Sequence, residues 1–445
     1  MASDLLSIAV SGARAARGAL DVTAQNIANA SSDGYSRRSL RLEEVSAAGG
    51  VGRVGDISLS GARIAEIRRN ADPFLQGEVR RTGGDLARAD IELKGLRNME
   101  SALEQSGVYD AMVEFEASLQ QLAGDPVDPA RRAAVLGEAE TLAAKFNITA
   151  DGFDAVRNGL QFDAEAEVSE ANIIGQEIAR INLRMNRAGP GSSDRASLLD
   201  QRDLMLEKLA GLASIKTSFA PDGTVAVSLG SPEVSFVQGG TAQKLEISGF
   251  IEGVPTFAVN GQSTKPTSGN LGGAVLALED LASAQKRLDG LAASFADEMN
   301  RVQQSGVDLK GNAGQPFFTG DSAGTLKVAL TEGALLATAP AGQPAGSRDS
   351  GNLDAMRQAL KVNDPIQGFS SLLFDVSSKV SGRTVTQSAL ETIASTARIS
   401  LEQQAGVDLD TEAANLIRFQ QAFQASGRAM QTASDIFDTL LGIGR

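Results

Sequence analysis

The two ends of this chain carry the same apolar pattern, and a lone helix with that pattern has nothing to bury it against. From Leu409 onward every seventh residue is large and apolar: Leu409, Leu416, Phe423, Met430 and Phe437. A second row, four residues on, runs Ala413, Gln420, Gly427, Ser434 and Leu441. Together the rows step 4,3,4,3, the seam of a coiled coil with a bulky side and a small or polar side. Near the start, Leu6, Val10, Ala13, Leu20, Ala24 and Ile27 follow the same heptad, with Arg17 the one misfit. Isolated helices of this length are marginal in water, but five large side chains buried at about 1.5–3 kcal/mol each compensate once a partner is present. The simplest solution is that the two terminal helices pair with each other, ordered in an assembly and loose in the free monomer.

Between the ends the pattern changes twice. The segment "GGVGRVGDISLSGARIAEIRR" alternates with period two at Val54, Ile57 and Leu59 and reads as strand. Residues 72–212 read as helices, with a loop around Pro126 and Pro129, a separate helix at "ANIIGQEIARINLRM", a break at "NRAGPGSSD", and another helix at "RASLLDQRDLMLEKLAGL". From Ser214, Asp-Gly and Gly-Gly turns between Val/Phe/Ile-rich runs predict an antiparallel β unit of roughly five strands. Helix then returns, and it dominates 353–404 before the closing helix. The expected fold is mainly α with a small β insert, elongated and nested. Residues 1–40 plus 405–445 form a terminal coiled-coil domain. Residues 41–212 plus 268–404 form a helical-bundle middle domain, and 213–267 an antiparallel β subdomain.

Composition narrows the chemistry. The 445 residues contain no Cys and no His, which removes disulfides, thiolate nucleophiles, Cys/His zinc sites, Ser-His-Asp triads and imidazole bases. The net charge of −14 argues against nucleic acid as a partner. Residues 81–210 hold 14 basic and 23 acidic residues, an imbalance suited to a solvated surface. The start, "MASDLLSIAVSGARAARGAL", has neither a basic n-region nor a long apolar core, so no secretory signal or membrane span is expected there.

The carboxylate clusters have simpler explanations than catalysis. Asp408, Asp410 and Glu412 open the last helix, where acids complement the helix dipole by a few tenths to about 1 kcal/mol. "LLDQRD" offers Asp200, Arg202 and Asp203 for local ion pairs along one helix, with a polar interface as the other reading. "DLKGNAG" lacks the ligand spacing of a calcium loop, and "GGVGRVG" lacks the Lys-Ser/Thr of a phosphate-binding loop. No catalytic residue, metal site or cofactor is expected.

The segment "SGARAARGALDVTAQNIANASSDGYSRR", with Asn26 and Asn29 in its core, resembles the N-terminal signature of bacterial flagellar axial proteins. "SLLDQRDLMLEKLA", "DPARRAAVLGEAETLAAKFN" and "GVDLDTEAANLIRFQQAFQASGRAMQTASDIFDTLL" are similar to the hook-associated proteins that form the first layer of the hook–filament junction. That resemblance implies an extracellular structural subunit, transiently cytoplasmic and exported unfolded by the flagellar type III apparatus. It also implies terminal helices that pack with those of neighbouring copies. The implied partners are further copies in a ring, the hook protein, a second junction protein on the filament side, and a cytoplasmic chaperone holding the C-terminal segment. Within the closing helix the bulky row is expected to face the chain's own N-terminal helix, and the small row its neighbours. Other axial proteins, of the hook or distal rod, are the nearest alternative. A secreted enzyme is a more distant one, and a cytosolic coiled-coil scaffold would instead predict stable dimers.

Overall fold

The computed structural model describes residues 2–46 and 59–443. The expected strand residues Val54 and Ile57, and the Gly-rich run at 49–55, lie outside the described residues. Helix α1 (Ala2–Ala28) leads into strands β1 (Arg38–Ser46) and β2 (Leu59–Arg69), which pair antiparallel with Arg38 opposite Arg69 and Leu42 opposite Ile64. The alternation in the sequence covered β2 but not β1, whose RSLRLEEVS is half charge and gives a weak strand signal.

Four helices follow: α2 (Pro73–Glu104), α3 (Val108–Ala123), α4 (Pro129–Met185) and α5 (Ser193–Leu212). Two of them start at Asp-Pro pairs. Asp72 accepts from the backbone N–H of Phe74 at 2.8 Å and Asp128 from that of Ala130 at 2.8 Å, while Pro73 and Pro129 sit where no N–H is needed. The separate helix expected at 171–185 is instead the second half of α4. That helix runs 57 residues without interruption, about 85 Å at 1.5 Å per residue. Nothing in it breaks a helix, and Gly175 is required for packing, because a Cβ there would meet the Phe236 ring at 2.6 Å.

The β insert has seven strands in two antiparallel sheets, where the sequence suggested about five. One is ordered β3 (Ile215–Phe219), β4 (Val225–Leu229), β5 (Val234–Gln238), β6 (Thr241–Ala242); the other β7 (Leu245–Ile251), β8 (Val254–Val259), β9 (Gln262–Thr264). Asn260-Gly261, both at positive φ, turns β8 into β9. Val227, Phe236 and Val259 of these sheets share one apolar cluster with Ile174 and Ile178 of α4 and Leu206 and Leu209 of α5.

Helix α6 (Gly269–Ser305) runs beneath both that cluster and a larger one. The short strands β10 (Gly306–Val307), β11 (Phe318–Thr319), β12 (Lys327–Val328) and β13 (Ala339–Pro340) pair as β10–β13 and β11–β12. Helices α7 (Gly351–Asn363), α8 (Pro365–Ala405) and α9 (Leu409–Ile443) complete the chain. The larger cluster is centred on Phe115, Phe295, Phe317 and Phe318, with Phe317 and Phe318 stacked at 4.6 Å and Phe115 edge-on to Phe295 at 5.7 Å. Beside it the buried Arg132 donates to the carbonyls of Pro126, Gly333 and Leu336 and to the Thr338 hydroxyl, at 2.6–3.0 Å, fastening two loops to α4.

A buried ion network joins the N-terminal segment to this body. Asp200 of α5 accepts from Arg38 of β1 at 3.0 Å and from Arg69 of β2 at 2.8 Å. Arg69 also reaches Asp203 at 2.9 Å, and Arg202 binds the other oxygen of Asp203 at 2.6 Å. The expectation of local pairing therefore holds only for Arg202 and Asp203. Asp200 turns across the structure because Arg38 and Arg69, paired in the hairpin, present two guanidinium groups to one carboxylate. Burial pushes the Asp200 carboxyl above its usual range, against the pull of both arginines.

Glu167 of α4 is a second titrating carboxyl. Burial, with Asp163 and Glu170 nearby, raises its pKa to about 7 despite a hydrogen bond with Asn270 at the start of α6 and the charge of Lys94.

Two outcomes follow from these buried carboxyls. Asp200→Asn should strip Arg38 and Arg69 of their shared anion and lower stability by about 3 kcal/mol, read as a drop in the urea midpoint at pH 7. Glu167 keeps its full contribution below about pH 4.5 and loses it as pH rises through about 7, because the unfolded carboxyl ionises first. Glu167→Gln should therefore match the parent at pH 4 and exceed it by about 1–2 kcal/mol at pH 8 in the same assay.

Candidate assembly interface

Helix α1 is buried on two sides. On one, Ser11 accepts from the Ala62 N–H of β2 at 3.2 Å, and Gly18 lies so close to Ile64 that a Cβ would meet it at 2.6 Å. By helical spacing, the buried Ala15 and Val22 share this side with Ser11 and Gly18. On the other side Gly12 faces Ser426 of α9, where a Cβ would come within 3.1 Å of the hydroxyl. Ala9, Ala16, Ala19 and Thr23 lie on Gly12's side and are buried. Two small-residue faces allow close backbone approach, so the terminal helices pair antiparallel along their length.

This close approach decides which row of α9 points inward. Counting by sevens from Ser426, the inward residues are Glu412, Phe419, Ser426 and Ala433, of which Glu412 and Ala433 are fully buried. The expectation that the bulky row faces α1 is corrected. Leu409 is 55% exposed and Phe437 51%, Leu416 and Phe423 are also exposed, and Met430 alone in that row is half-buried. A phenylalanine or leucine row cannot enter a groove lined by glycine and alanine without pushing the helices apart. In the second row Ala413, Gln420 and Ser434 are exposed and Gly427 is half-buried with open space where its Cβ would go. Leu441 lies in α9, and its side chain is outside the described residues.

The predicted residues of α1 scatter over its surface. Ala13 is buried, Val10 and Leu20 are half-buried, and Leu6, Ala24 and Ile27 are exposed. Asn26 is an internal clamp. Its Nδ2 donates to the Arg38 carbonyl at 2.9 Å, and its Oδ1 accepts from the Arg38 N–H at 2.9 Å and the Tyr35 hydroxyl at 2.8 Å. Asn29 donates to the Gln25 carbonyl at 2.8 Å. These bonds fold the loop after α1 back on the helix and deliver Arg38 to Asp200.

Glu412, expected as a solvated dipole complement, makes a buried ion pair with Arg37 at 2.7 Å. The Arg37 N–H donates to the Ala405 carbonyl at 2.7 Å, so one residue binds both sides of the α8–α9 turn. The helix-capping role belongs to Asp408, which accepts from the Thr411 N–H at 2.7 Å. Between the loop after α1 and the first turns of α5 lies a polar cleft of about 330 Å³, walled by Asn29, Asp33, Tyr35, Arg38, Asp194 and Asp200 among others. Among the described residues there is no group of three or more acidic side chains placed to hold a metal, and no helix long and apolar enough to cross a membrane.

The family model described as "Flagellar hook-associated protein FlgK helical domain" matches residues 93–318, just over half of the chain. Models described as "Flagella basal body rod protein" and "Flagellar basal body rod FlgEFG protein C-terminal" match residues 6–35 and 402–443, the segments of α1 and α9. The chain is 24% identical to flagellar hook-associated protein 1 of Bacillus subtilis over 97% of its length and 96% of that protein. It is 25% identical to the protein of the same name in Escherichia coli, over 99% and 100%. The structure of the flagellar hook junction protein FlgK from Burkholderia pseudomallei superposes with a TM-score of 0.50 at 25% identity, covering 54% of this chain and 46% of that one. With a helical body of this kind between two rod-type terminal helices, the chain belongs to the FlgK family of flagellar hook-associated proteins, structural components of the hook–filament junction.

Proposed function

We propose that the chain is an adaptor without catalytic activity, forming a ring that joins the hook to the filament. The observation behind this reading is the α1–α9 pair itself. It satisfies its own close contact with glycine, alanine and serine and leaves Leu409, Leu416, Phe423 and Phe437 outward. An exposed apolar row beside an already formed pair suits burial against neighbouring copies. The interface is thus proposed to use both predicted rows of α9, with the bulky row now assigned to neighbours, and Leu6, Ala24 and Ile27 of α1. The terminal unit (1–40 plus 405–445) lies in the ring, the helical unit (41–212 plus 268–404) carries it, and the β unit (213–267) faces outward.

The same exposed row supports a need for a cytoplasmic chaperone on the C-terminal segment before export, since an uncovered seam invites premature association. Unfolded export through the type III apparatus, an extracellular final position, and contacts with the hook protein on one side and a second junction protein on the other complete the proposal. The rod-type matches at both ends favour one other reading, a hook or distal rod subunit.

Deleting the gene should leave complete hooks that shed filament protein into the medium. Loss of the hook itself would instead establish a hook or rod subunit, and normal filaments would reject both. Gly427→Leu adds bulk into open space, so the purified variant should unfold within about 0.5 kcal/mol of the parent. It should nonetheless reduce filament-bearing cells at least tenfold, counted by electron microscopy, and normal filament attachment in that variant would remove this face from the interface.

A further inference from the structure

Arg17, the one misfit in the N-terminal heptad, is outward-facing, and so is Arg14 one turn before it. Neither makes an ion pair with a described residue, and no bridge forms between Arg17 and Asp21 one turn on. The only other cations of the two terminal helices are Arg418, stacked on Phe419 at 4.8 Å, and Arg428, which is exposed and unpaired. Gly12 lies beside Ser426 and the helices are antiparallel, so all four arginines fall in one band of the pair, about 15 Å along its axis.

Some carboxylates without ion-pair partners lie on the terminal pair itself, Asp21 among them, and others lie elsewhere. Asp33 and Asp194 line the polar cleft between the loop after α1 and the start of α5, and neither has an ion-pair partner among the described residues. The cation in the cleft wall, Arg38, is already matched by Asp200 at 3.0 Å, so Asp33 and Asp194 hold the uncompensated charge. Asn29, in the same wall, is 12 residues beyond Arg17, which sets the cleft about 18 Å beyond that arginine along the helix axis.

We infer that a second copy of this chain, staggered by about that distance, inserts Arg14 and Arg17 into the cleft at Asp33 and Asp194. The cleft volume of about 330 Å³ admits guanidinium groups, and the cations and acids are each unpaired within one chain. A head-to-tail contact of this kind uses different surfaces on the two copies and so propagates from copy to copy, as a ring requires. Burial of the exposed row of α9 supplies affinity while the charges fix the stagger. The inference rests on the proposed junction role.

The test replaces the gene in its own bacterium and counts attached filaments. Asp33→Arg with Asp194→Arg, and separately Arg14→Asp with Arg17→Asp, should each lower attachment at least tenfold. Both proteins should keep the parent's circular dichroism and still appear in the medium. Because a reversed cleft could disturb Arg38, Asp33→Asn with Asp194→Asn serves as a second variant, with a smaller loss expected. Combining the two reversals in one chain should restore attachment to within about threefold of the parent. If the combined chain is no better than the single reversals, the arginines and the cleft meet different proteins and the inference falls. It falls equally if the reversals have no effect in a strain where gene deletion abolishes attachment. Attachment that survives the deletion itself overturns the junction role, a distinguishable result.

Discussion

The placement of the chain's two ends depends on one carboxylate. Asp200 sits on a helix of the body, and both of its charged partners come from the hairpin that packs on α1. Two guanidinium groups on one buried anion fix direction as well as distance, because each carboxylate oxygen takes one arginine. Burial opposes ionisation at this site, so the network is a poor source of net stability and a strong determinant of geometry. Asn26 prepares it by holding Arg38 through both backbone groups, and Arg37, one residue earlier, ties in α9 through Glu412.

From that anchor the terminal pair extends as a close-packed helical hairpin. Its inward faces are built mainly of small residues, with Glu412 and Phe419 the larger members of the α9 row, and the row of Leu409, Leu416, Phe423 and Phe437 stays outside. Under the proposed assembly, folding within the chain and packing between copies make competing demands on the same seam. Here they are separated by helix face, with glycine, alanine and serine at the closest contact and the row of Leu409, Leu416, Phe423 and Phe437 kept outward. Nine of the 17 phenylalanines are buried in the body, while α9 holds three, Phe419, Phe423 and Phe437.

The body is a different physical object. It has two large apolar clusters that share α6 and α4, and loops pinned by buried polar groups such as Arg132 and Asn182. Asn182 bonds the Val225 N–H and carbonyl and the Gly239 carbonyl, so the β sheets are fastened to α4 by hydrogen bonds as well as by apolar burial. Such attachment keeps the insert from moving as a loose appendage.

Much of this was legible in the residues. The heptads at both ends, the Asp-Pro starts of α2 and α4, and the Asn-Gly and Asp-Gly turns of the β unit are local signals, set by backbone sterics and helix period. The family could be recognised because whole segments resembling it, from the N-terminal signature to the closing helix, stand in order along the chain. Periodicity says which residues lie on one face of a helix, but not what stands opposite. That is why the inward row of α9 was misassigned by three positions, and why Glu412 and Asn26 read as surface or interface residues before their partners were known. Asp200 meets Arg38 and Arg69 across 162 and 131 residues of sequence, and only the packed structure brings those charges together.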